Sequence, residues 1–139
     1  MHEATPEVLA GLNRLLPQLS ATANPVDEQA VTRIVESDAT RLLIARNPDG
    51  QIIGTLTLAV FRTPTGIRAW IEDVVVDSTA RGQGVGEALI RAALAIAAED
   101  GATTIDLTSR ASREAANRMY RRIGFAERET NVYRYQAER

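Results

Sequence analysis

The sequence contains no cysteine, no lysine and a single histidine, His2, among its 139 residues. The absence of cysteine excludes disulfide bonds, a thiol nucleophile and thiolate metal sites. One histidine cannot form a metal cluster, and its position at the terminus argues against a Ser-His-Asp triad. Without lysine there is no Schiff-base chemistry. Any catalysis must therefore use carboxylates, hydroxyls, arginines or backbone groups, and no bound metal is expected.

The chain also lacks a large excess of either charge. Sixteen basic residues, all arginine, oppose eighteen acidic residues and give a net charge of -2. A nucleic-acid-binding module normally carries a basic excess, so that class is disfavoured. The hydrophobic fraction of 45% and the charged fraction of 24% are typical of globular domains. The length predicts one domain over residues 1–139, and the sequence shows neither a signal-peptide pattern nor a long apolar run. We therefore expect a cytoplasmic protein without membrane contact.

Apolar periodicity and turn signals predict an α+β fold. The first predicted helix is capped by Thr5 and ends or kinks at Pro17, and the second is capped by Asn24. Helices are predicted at 5–20, 24–37, 85–100 and 112–124. Strands are predicted at 41–46, 51–62, 67–77, 103–109, 125–129 and 131–136. The first three strands should be antiparallel, and the strand after the third helix should be parallel to its partner or nearly so.

Residues 74–89, VVVDSTARGQGVGEAL, join a strand to a helix through a loop with three glycines. Backbone N–H groups at the start of a helix form an anion site, because they are unpaired and lie at the positive end of the helix dipole. Neither the P-loop nor the dinucleotide-binding pattern is present, since no Gly-Lys-Ser/Thr follows and the glycine spacing differs. The alternative is a tight turn whose small residues allow the helix to pack on the sheet. The loop alone does not decide between them.

Two segments together carry a resemblance to a known family. RGQGVG fits R/Q-x-x-G-x-G/A, the pyrophosphate-binding signature of the GNAT superfamily of N-acetyltransferases. SREAANRMYRRIGF, about thirty residues later, is similar to the second conserved segment of that family. The resemblance implies a mixed, mostly antiparallel sheet of about six to seven strands with helices on both faces. Because only four residues precede Thr5, we expect the first strand of the family to be short or missing, or this sequence to begin after it.

The resemblance implies that acetyl-CoA is the cofactor and co-substrate. Its pyrophosphate would be held by Arg81 and the loop N–H groups, and its pantetheine arm would lie alongside the central strand like an added strand. Asn117 matches a cofactor-contacting asparagine of the family. The implied cofactor-binding residues are Val74, Val75, Val76, Arg81, Gly82, Gln83, Gly84, Val85, Gly86 and Asn117.

Acetyl transfer to an amine also needs a base and an acid. Without a usable histidine, the base must be a carboxylate or a water chain. On a regular strand Glu72 is in phase with Val74 and Val76, which makes it the candidate base; the alternative is an arginine partner or a solvated strand residue. Asp73 should point to the opposite face unless a β-bulge re-aims it. Tyr120 matches the general-acid tyrosine of the family, although its place on an apolar helix stripe is also explained by core packing.

The acceptor is expected to be an amine, either of a small molecule or of a protein. Asp73 and Trp70 are the candidate substrate-binding residues, and Trp70 is equally compatible with packing. The resemblance also implies a homodimer formed through a sheet edge or the C-terminal strand. The predicted activity is N-acetylation of a primary amine by direct attack in a ternary complex. The alternative is a GNAT-fold protein that binds CoA as a sensor or assembly module without turnover.

Overall fold

The structure is a computed structural model that describes residues 3–137. The helices are α1 (Pro6–Leu19), α2 (Glu28–Glu36), α3 (Val85–Glu99) and α4 (Glu114–Ile123). The strands are β1 (Thr40–Arg46), β2 (Ile52–Thr63), β3 (Gly66–Val76) and β4 (Thr104–Asp106). A single turn of 3-10 helix, Ser78–Ala80, lies between β3 and α3. Among these residues no helix combines the length and the apolar character that a membrane span requires.

The ends of the first two helices differ in part from the sequence prediction. Thr5 caps α1 as expected, since its hydroxyl accepts a hydrogen bond from Val8 N at 3.2 Å. The helix does not end at Pro17 but continues to Leu19, because a proline so near the C-terminus removes only one late backbone donor. The cap predicted at Asn24 is wrong. Helix α2 begins later, where Asp27 Oδ1 accepts a hydrogen bond from Ala30 N at 2.8 Å.

The four strands form one sheet in the order β1-β2-β3-β4. The first three strands are antiparallel, as predicted from the two turns that join them. Strand β4 lies parallel to β3, which confirms the predicted crossover through α3. This last pairing is short: it extends only from Arg68 opposite Thr104 to Trp70 opposite Asp106. The remainder of β3 is paired on the β2 side alone within the described residues.

Helices cover both faces of the sheet, as the fold class requires. Thr55 and Gly54 are neighbours on β2, so their side-chain positions lie on opposite faces. Val75, the cross-strand partner of Thr55, packs in a core formed mainly by α1 and α2. On the other face, a Cβ atom at Gly54 would lie 3.1 Å from the side chains of Leu89 and Val85 in α3. A glycine at this position therefore lets α3 approach the sheet closely.

The sheet has four strands in the described residues, fewer than the six to seven expected. The strands predicted at 125–129 and 131–136 are wrong, because residues 124–137 contain no strand. Their apolar side chains Val132, Tyr133 and Tyr135 are exposed. No strand precedes α1 within residues 3–5 either, while residues 1 and 2 lie outside the described residues. Alternating apolar residues favour a strand, but a strand also needs a neighbouring backbone with which to pair.

The contacts divide the chain into two units, one reaching to Thr108 and the other starting at Ser109. The first unit contains the sheet and helices α1 to α3. The second contains α4, which ends at Ile123 and has Gly124 as its C-cap. There Gly124 N and Phe125 N both donate hydrogen bonds to Tyr120 O, at 3.1 and 2.9 Å.

Candidate active site

The glycine loop connects the end of β3 to the first turn of α3. Gly82 and Gly84 have φ angles of +79° and +80°, in the left-handed region that favours glycine. A Cβ atom at either position would meet no other atom within 4 Å. The glycines are therefore not needed to avoid a clash within the protein. They supply the backbone turn and leave the outer surface of the loop open to a ligand.

Helix α3 begins at this loop without a side-chain cap. Its N-cap residue is Gly84, which has no side chain to accept a hydrogen bond from the first turn. The first N–H groups of an α-helix have no acceptor within the helix, and they carry the positive end of its dipole. Val85 and Gly86 begin the helix, so their backbone donors belong to this end. The glycine loop and the first turn of α3 are thus adjacent, and their backbone N–H groups are suited to binding an anion.

Two longer side chains flank these donors. Arg81 is exposed at the end of the 3-10 turn and provides a cation beside the loop. Gln83 is also exposed, and its Nε2 donates to Thr79 O at 3.5 Å. An arginine beside unpaired N–H groups is a donor set that suits a phosphate or pyrophosphate. These residues therefore fit the pyrophosphate of CoA.

Strand β3 contains a bulge that the sequence pattern did not indicate. Glu72 lies opposite Thr57 and Val75 opposite Thr55, so three steps along β3 match two steps along β2. The irregularity coincides with Asp73, whose φ is +52°. The extra residue in a bulge shifts the alternation of the strand, so the side chains that follow it point to the opposite face from the one that regular alternation predicts. The sequence pattern predicts that Asp73 points to the opposite face unless a β-bulge re-aims it, and the structure contains such a bulge.

The bulge corrects the predicted phase of the strand. Thr55 and Thr57 share one face of β2, so Glu72 lies on the same face as Val75 and not with Val74 and Val76. Val75 is 5% exposed in the core beneath α1 and α2, whereas Glu72 is exposed. Glu72 therefore lies on the face of the sheet that α1 and α2 cover, at a position where that face is open to solvent. Its predicted alignment with the neighbouring valines was wrong.

The other candidates on β3 lie on either side of the bulge. Asp73 is exposed, and Trp70 is half-buried where it pairs with Ala59 on β2 and Asp106 on β4. After Trp70 the β4 side of β3 has no strand partner among residues 3–137. Val74 and Val76 are half-buried along this segment. Its backbone can accept the extended arm that the family resemblance implies.

Asp77, at the start of the loop, makes contacts that the sequence did not predict. Its carboxylate accepts hydrogen bonds from Arg14 Nη1 at 2.6 Å and Gln18 Nε2 at 3.2 Å, both on α1. Arg14 Nη2 donates to Ile52 O, and Ser78 N donates to Gln18 Oε1 at 2.9 Å. The partners are far apart in sequence, so local spacing could not reveal them. We call Arg14, Gln18 and Asp77 the α1–loop cluster.

The same cluster makes stability depend on pH. Hydrogen bonds from Arg14, and then from Gln18, hold the pKa of Asp77 below its ordinary value despite the opposing effect of burial. A carboxyl whose pKa is lower in the folded protein stabilises it above the unfolded pKa. That contribution is lost as the pH falls through the folded pKa.

We therefore expect Asp77→Asn to lower the melting temperature at pH 7 but much less in acid. An unfolded aspartate has a pKa of about 3.9, so the melting temperatures of the two proteins should begin to converge as the pH falls below about 4 and should meet only below the lower folded pKa. Thermal unfolding from pH 7 to pH 3 checks this. A constant difference across that range would show that the charge of Asp77 does not stabilise the fold.

The second unit contains the remaining candidates, Tyr120 and Asn117 on α4. Tyr120 is 7% exposed, and its ring makes an edge-to-face contact with Phe125 at a centroid distance of 5.9 Å. Burial raises the pKa of Tyr120, against a smaller lowering by Arg113, so its hydroxyl is protonated at neutral pH. Asn117 Nδ2 donates to Arg110 O at 3.0 Å, which holds the turn before α4. Both residues thus have a structural role beside the one predicted.

An α+β sheet covered on both faces, with a glycine loop suited to an anion after its third strand, agrees with the acyltransferase class that the resemblance implied. Residues 12–125 match the Acetyltransferase (GNAT) family, and the chain belongs to this family. The family uses acetyl-CoA as its acetyl donor. The expected GNAT fold is thereby confirmed, with fewer strands than expected.

The chain is also similar to several named proteins. A mycothiol acetyltransferase of Clavibacter michiganensis is 37% identical over 98 residues, which are 69% of this chain and 30% of that protein. The chain therefore spans about a third of that curated relative. A Trypanosoma brucei acetyltransferase has a TM-score of 0.78 at 28% identity, covering 95% of this chain and 96% of the other. A protein described as a transcriptional regulator from Bacillus halodurans has a TM-score of 0.81 at 29% identity, covering 96% and 97%.

Proposed function

We propose that this protein is an acetyl-CoA-dependent N-acetyltransferase that acts on a primary amine by direct attack in a ternary complex. The observation that carries the proposal is the uncapped start of α3, preceded by two open glycines in the left-handed conformation. Such a site binds a pyrophosphate, and family membership makes CoA its source. The proposal treats residues 1–139 as one cytoplasmic catalytic domain that forms a homodimer.

The loop and β3 bind the donor in this proposal. Arg81 and the N–H groups of residues 82–86 hold the pyrophosphate, and the side of β3 near Val74 and Val76 binds the pantetheine arm. Asn117 contributes a further contact to CoA. The bound donor supplies an acetyl group activated as a thioester. Fixing it at two places, the loop and the strand, orients the thioester for attack.

Two proton transfers are assigned to side chains, one from the acceptor ammonium and one to the departing thiolate. Glu72 accepts a proton from the ammonium of the acceptor, directly or through water, because only the neutral amine attacks. A C–N bond then forms at the acetyl carbonyl and the C–S bond breaks. Tyr120 donates a proton to the departing thiolate, a role that rests on the family resemblance. Asp73 and Trp70 contact the acceptor.

Three measurements test the proposal. Calorimetry should detect binding of CoA, and an assay of free thiol should detect acetyl transfer to amines in a panel of small amines, peptide N-termini and lysine side chains. Mass spectrometry of the product should show the added acetyl group on nitrogen. A protein that does not bind CoA would contradict the whole assignment.

The alternative is a CoA-binding sensor or assembly module without turnover. The structural likeness to a protein described as a transcriptional regulator favours this alternative. Glu72 and Tyr120 favour the enzyme, because a protein that only binds CoA needs neither a base nor an acid. Binding of CoA without acetylation of any amine in the panel would favour the sensor.

Glu72→Gln is expected to lower kcat/KM for the amine by about a hundredfold at pH 7, because the neutral amide cannot accept the proton. The affinity for CoA should not change. Glu36→Gln is a matched control, since Glu36 is an exposed residue at the end of α2. If Glu72→Gln remained as active as this control, Glu72 would be only a solvated strand residue.

A further inference from the structure

The loop that binds the donor is held at its exit by packing of α3 on the sheet. Val85 and Leu89 occupy the space left by Gly54, each 3.1 Å from where a Cβ atom would lie. Ala88 N donates to Gly84 O at 3.0 Å, which fixes Gly84 to the first turn of the helix. The position of α3 therefore determines where the loop ends.

The entrance of the loop is held by polar contacts that the proposed chemistry does not use. Asp77 N donates to Ile53 O at 2.7 Å, and the Asp77 carboxylate accepts from Arg14 and Gln18. Gln18 Oε1 in turn accepts from Ser78 N at 2.9 Å. Asp77 Oδ1 also accepts from Thr79 N at 3.5 Å and so begins the 3-10 turn. The α1–loop cluster thus connects α1, the start of β2 and the entrance of the loop.

The attachment of α1 to the sheet does not itself require these polar groups. The helix buries Val8, Leu12 and Leu15 in the core, and this apolar contact is sufficient to hold it. The side chain of Arg14 is 43% exposed, so its ion pair with Asp77 adds only modestly to global stability, and losing it should lower the melting temperature without unfolding the domain. What the pair does fix is the direction in which the chain leaves β3.

We infer that Asp77 is a positioning residue for donor binding: together with Arg14 and Gln18 it fixes the loop entrance, so that the N–H groups of residues 82–86 converge on the pyrophosphate. The inference rests on the proposed function. Between Ser78 and Gly84 the chain is exposed except for Ala80, so few other contacts limit its movement. A displaced entrance would move the donors without unfolding the domain.

The test uses two acetyl donors that differ in the part that the loop binds. Acetyl-CoA has the pyrophosphate, whereas S-acetylpantetheine ends before it. Asp77→Asn should raise the Kd for CoA about tenfold, the effect of weakening one charged hydrogen-bond network. It should lower kcat/KM for acetyl-CoA by a similar factor and leave kcat/KM for S-acetylpantetheine unchanged. An equal loss with both donors would indicate a general structural role and overturn the inference.

A matched ion pair provides the control. Arg41 Nη2 lies 3.2 Å from Asp100 Oδ2 and joins β1 to the chain just after α3, at the end opposite the loop. Arg41→Met should not change the Kd for CoA, whereas Arg14→Met should raise it as Asp77→Asn does. The double variant of Arg14 and Asp77 should bind CoA no more weakly than either single variant, because both changes break one cluster.

Gln18→Ala keeps the inference testable if Asp77→Asn does not fold. Gln18 is exposed on α1, and its loss removes two contacts of the cluster without leaving a buried charge unpaired. It should raise the Kd for CoA, and an unchanged Kd would overturn the inference. If the wild-type protein does not bind CoA, the proposed function fails as well. If it binds and no cluster variant differs from Arg41→Met, only the inference fails.

Discussion

Replacing Gly84 by valine is expected to abolish detectable CoA binding while leaving the protein folded. The φ of Gly84 is +80°, and a residue with a Cβ atom pays about 1–2 kcal/mol to adopt this conformation. Domains of this size are stable by about 5–15 kcal/mol, so folding should survive. The valine side chain would project into the open space at the start of α3 and exclude the pyrophosphate. We expect the Kd for CoA to rise by more than about a hundredfold, equivalent to about 3 kcal/mol.

Gly50 provides an unusually close control for this experiment. It lies in the turn between β1 and β2 with a φ of +83°, and a Cβ atom there also meets nothing within 4 Å. Gly50→Val should therefore cost a similar amount of stability without affecting CoA. Calorimetric binding and melting temperatures of both variants separate backbone strain from ligand exclusion. Tight binding of CoA by Gly84→Val would refute the assignment of the loop.

Tyr120→Phe is expected to lower kcat by roughly ten- to a thousandfold, the range spanned by loss of one proton donor. The phenylalanine ring can keep the edge-to-face contact with Phe125, so packing of the second unit should be preserved. The raised pKa of Tyr120 keeps its proton in place at neutral pH, as an acid requires. CoA affinity should change little, since the hydroxyl acts on the departing thiolate.

The control for this prediction is Tyr133→Phe. Tyr133 is 87% exposed in the same unit, so removing its hydroxyl should change neither turnover nor stability. Steady-state kinetics at saturating acetyl-CoA compares the two variants directly. Equal turnover in wild-type protein and Tyr120→Phe would show that Tyr120 only packs at the end of α4. The base or solvent would then have to protonate the thiolate.

Features encoded by neighbouring residues could be predicted from the sequence. The cap at Thr5, the antiparallel strands and the parallel return of β4 follow from short patterns of polar, apolar and turn residues. The glycine loop is also local, because the spacing of Gly82 and Gly84 between a strand and a helix already suggests an anion site. The family resemblance supplies the proposal that this anion is the pyrophosphate of CoA.

Features that depend on distant residues or on one irregular backbone angle could not be predicted. The alternation of apolar residues in β3 contains no signal that Asp73 has a positive φ, so the phase of Glu72 was wrong. The contacts of Asp77 join residues about sixty positions apart, which only the packing of α1 on the sheet brings together. The strands predicted at 125–129 and 131–136 are absent for a related reason, because a strand forms only where a neighbouring backbone can pair with it.

The short pairing between β3 and β4 has a consequence for handling the protein without its donor. The segment of β3 beyond Trp70 is a sheet edge with one side unpaired within the described residues, and such edges promote association between chains. The bulge at Asp73 interrupts the edge, and its exposed charge opposes a flat approach by another strand. If the pantetheine arm covers this edge as proposed, preparations free of CoA should aggregate sooner on storage than those saturated with it. The bulge and the charge at Asp73 should limit that aggregation.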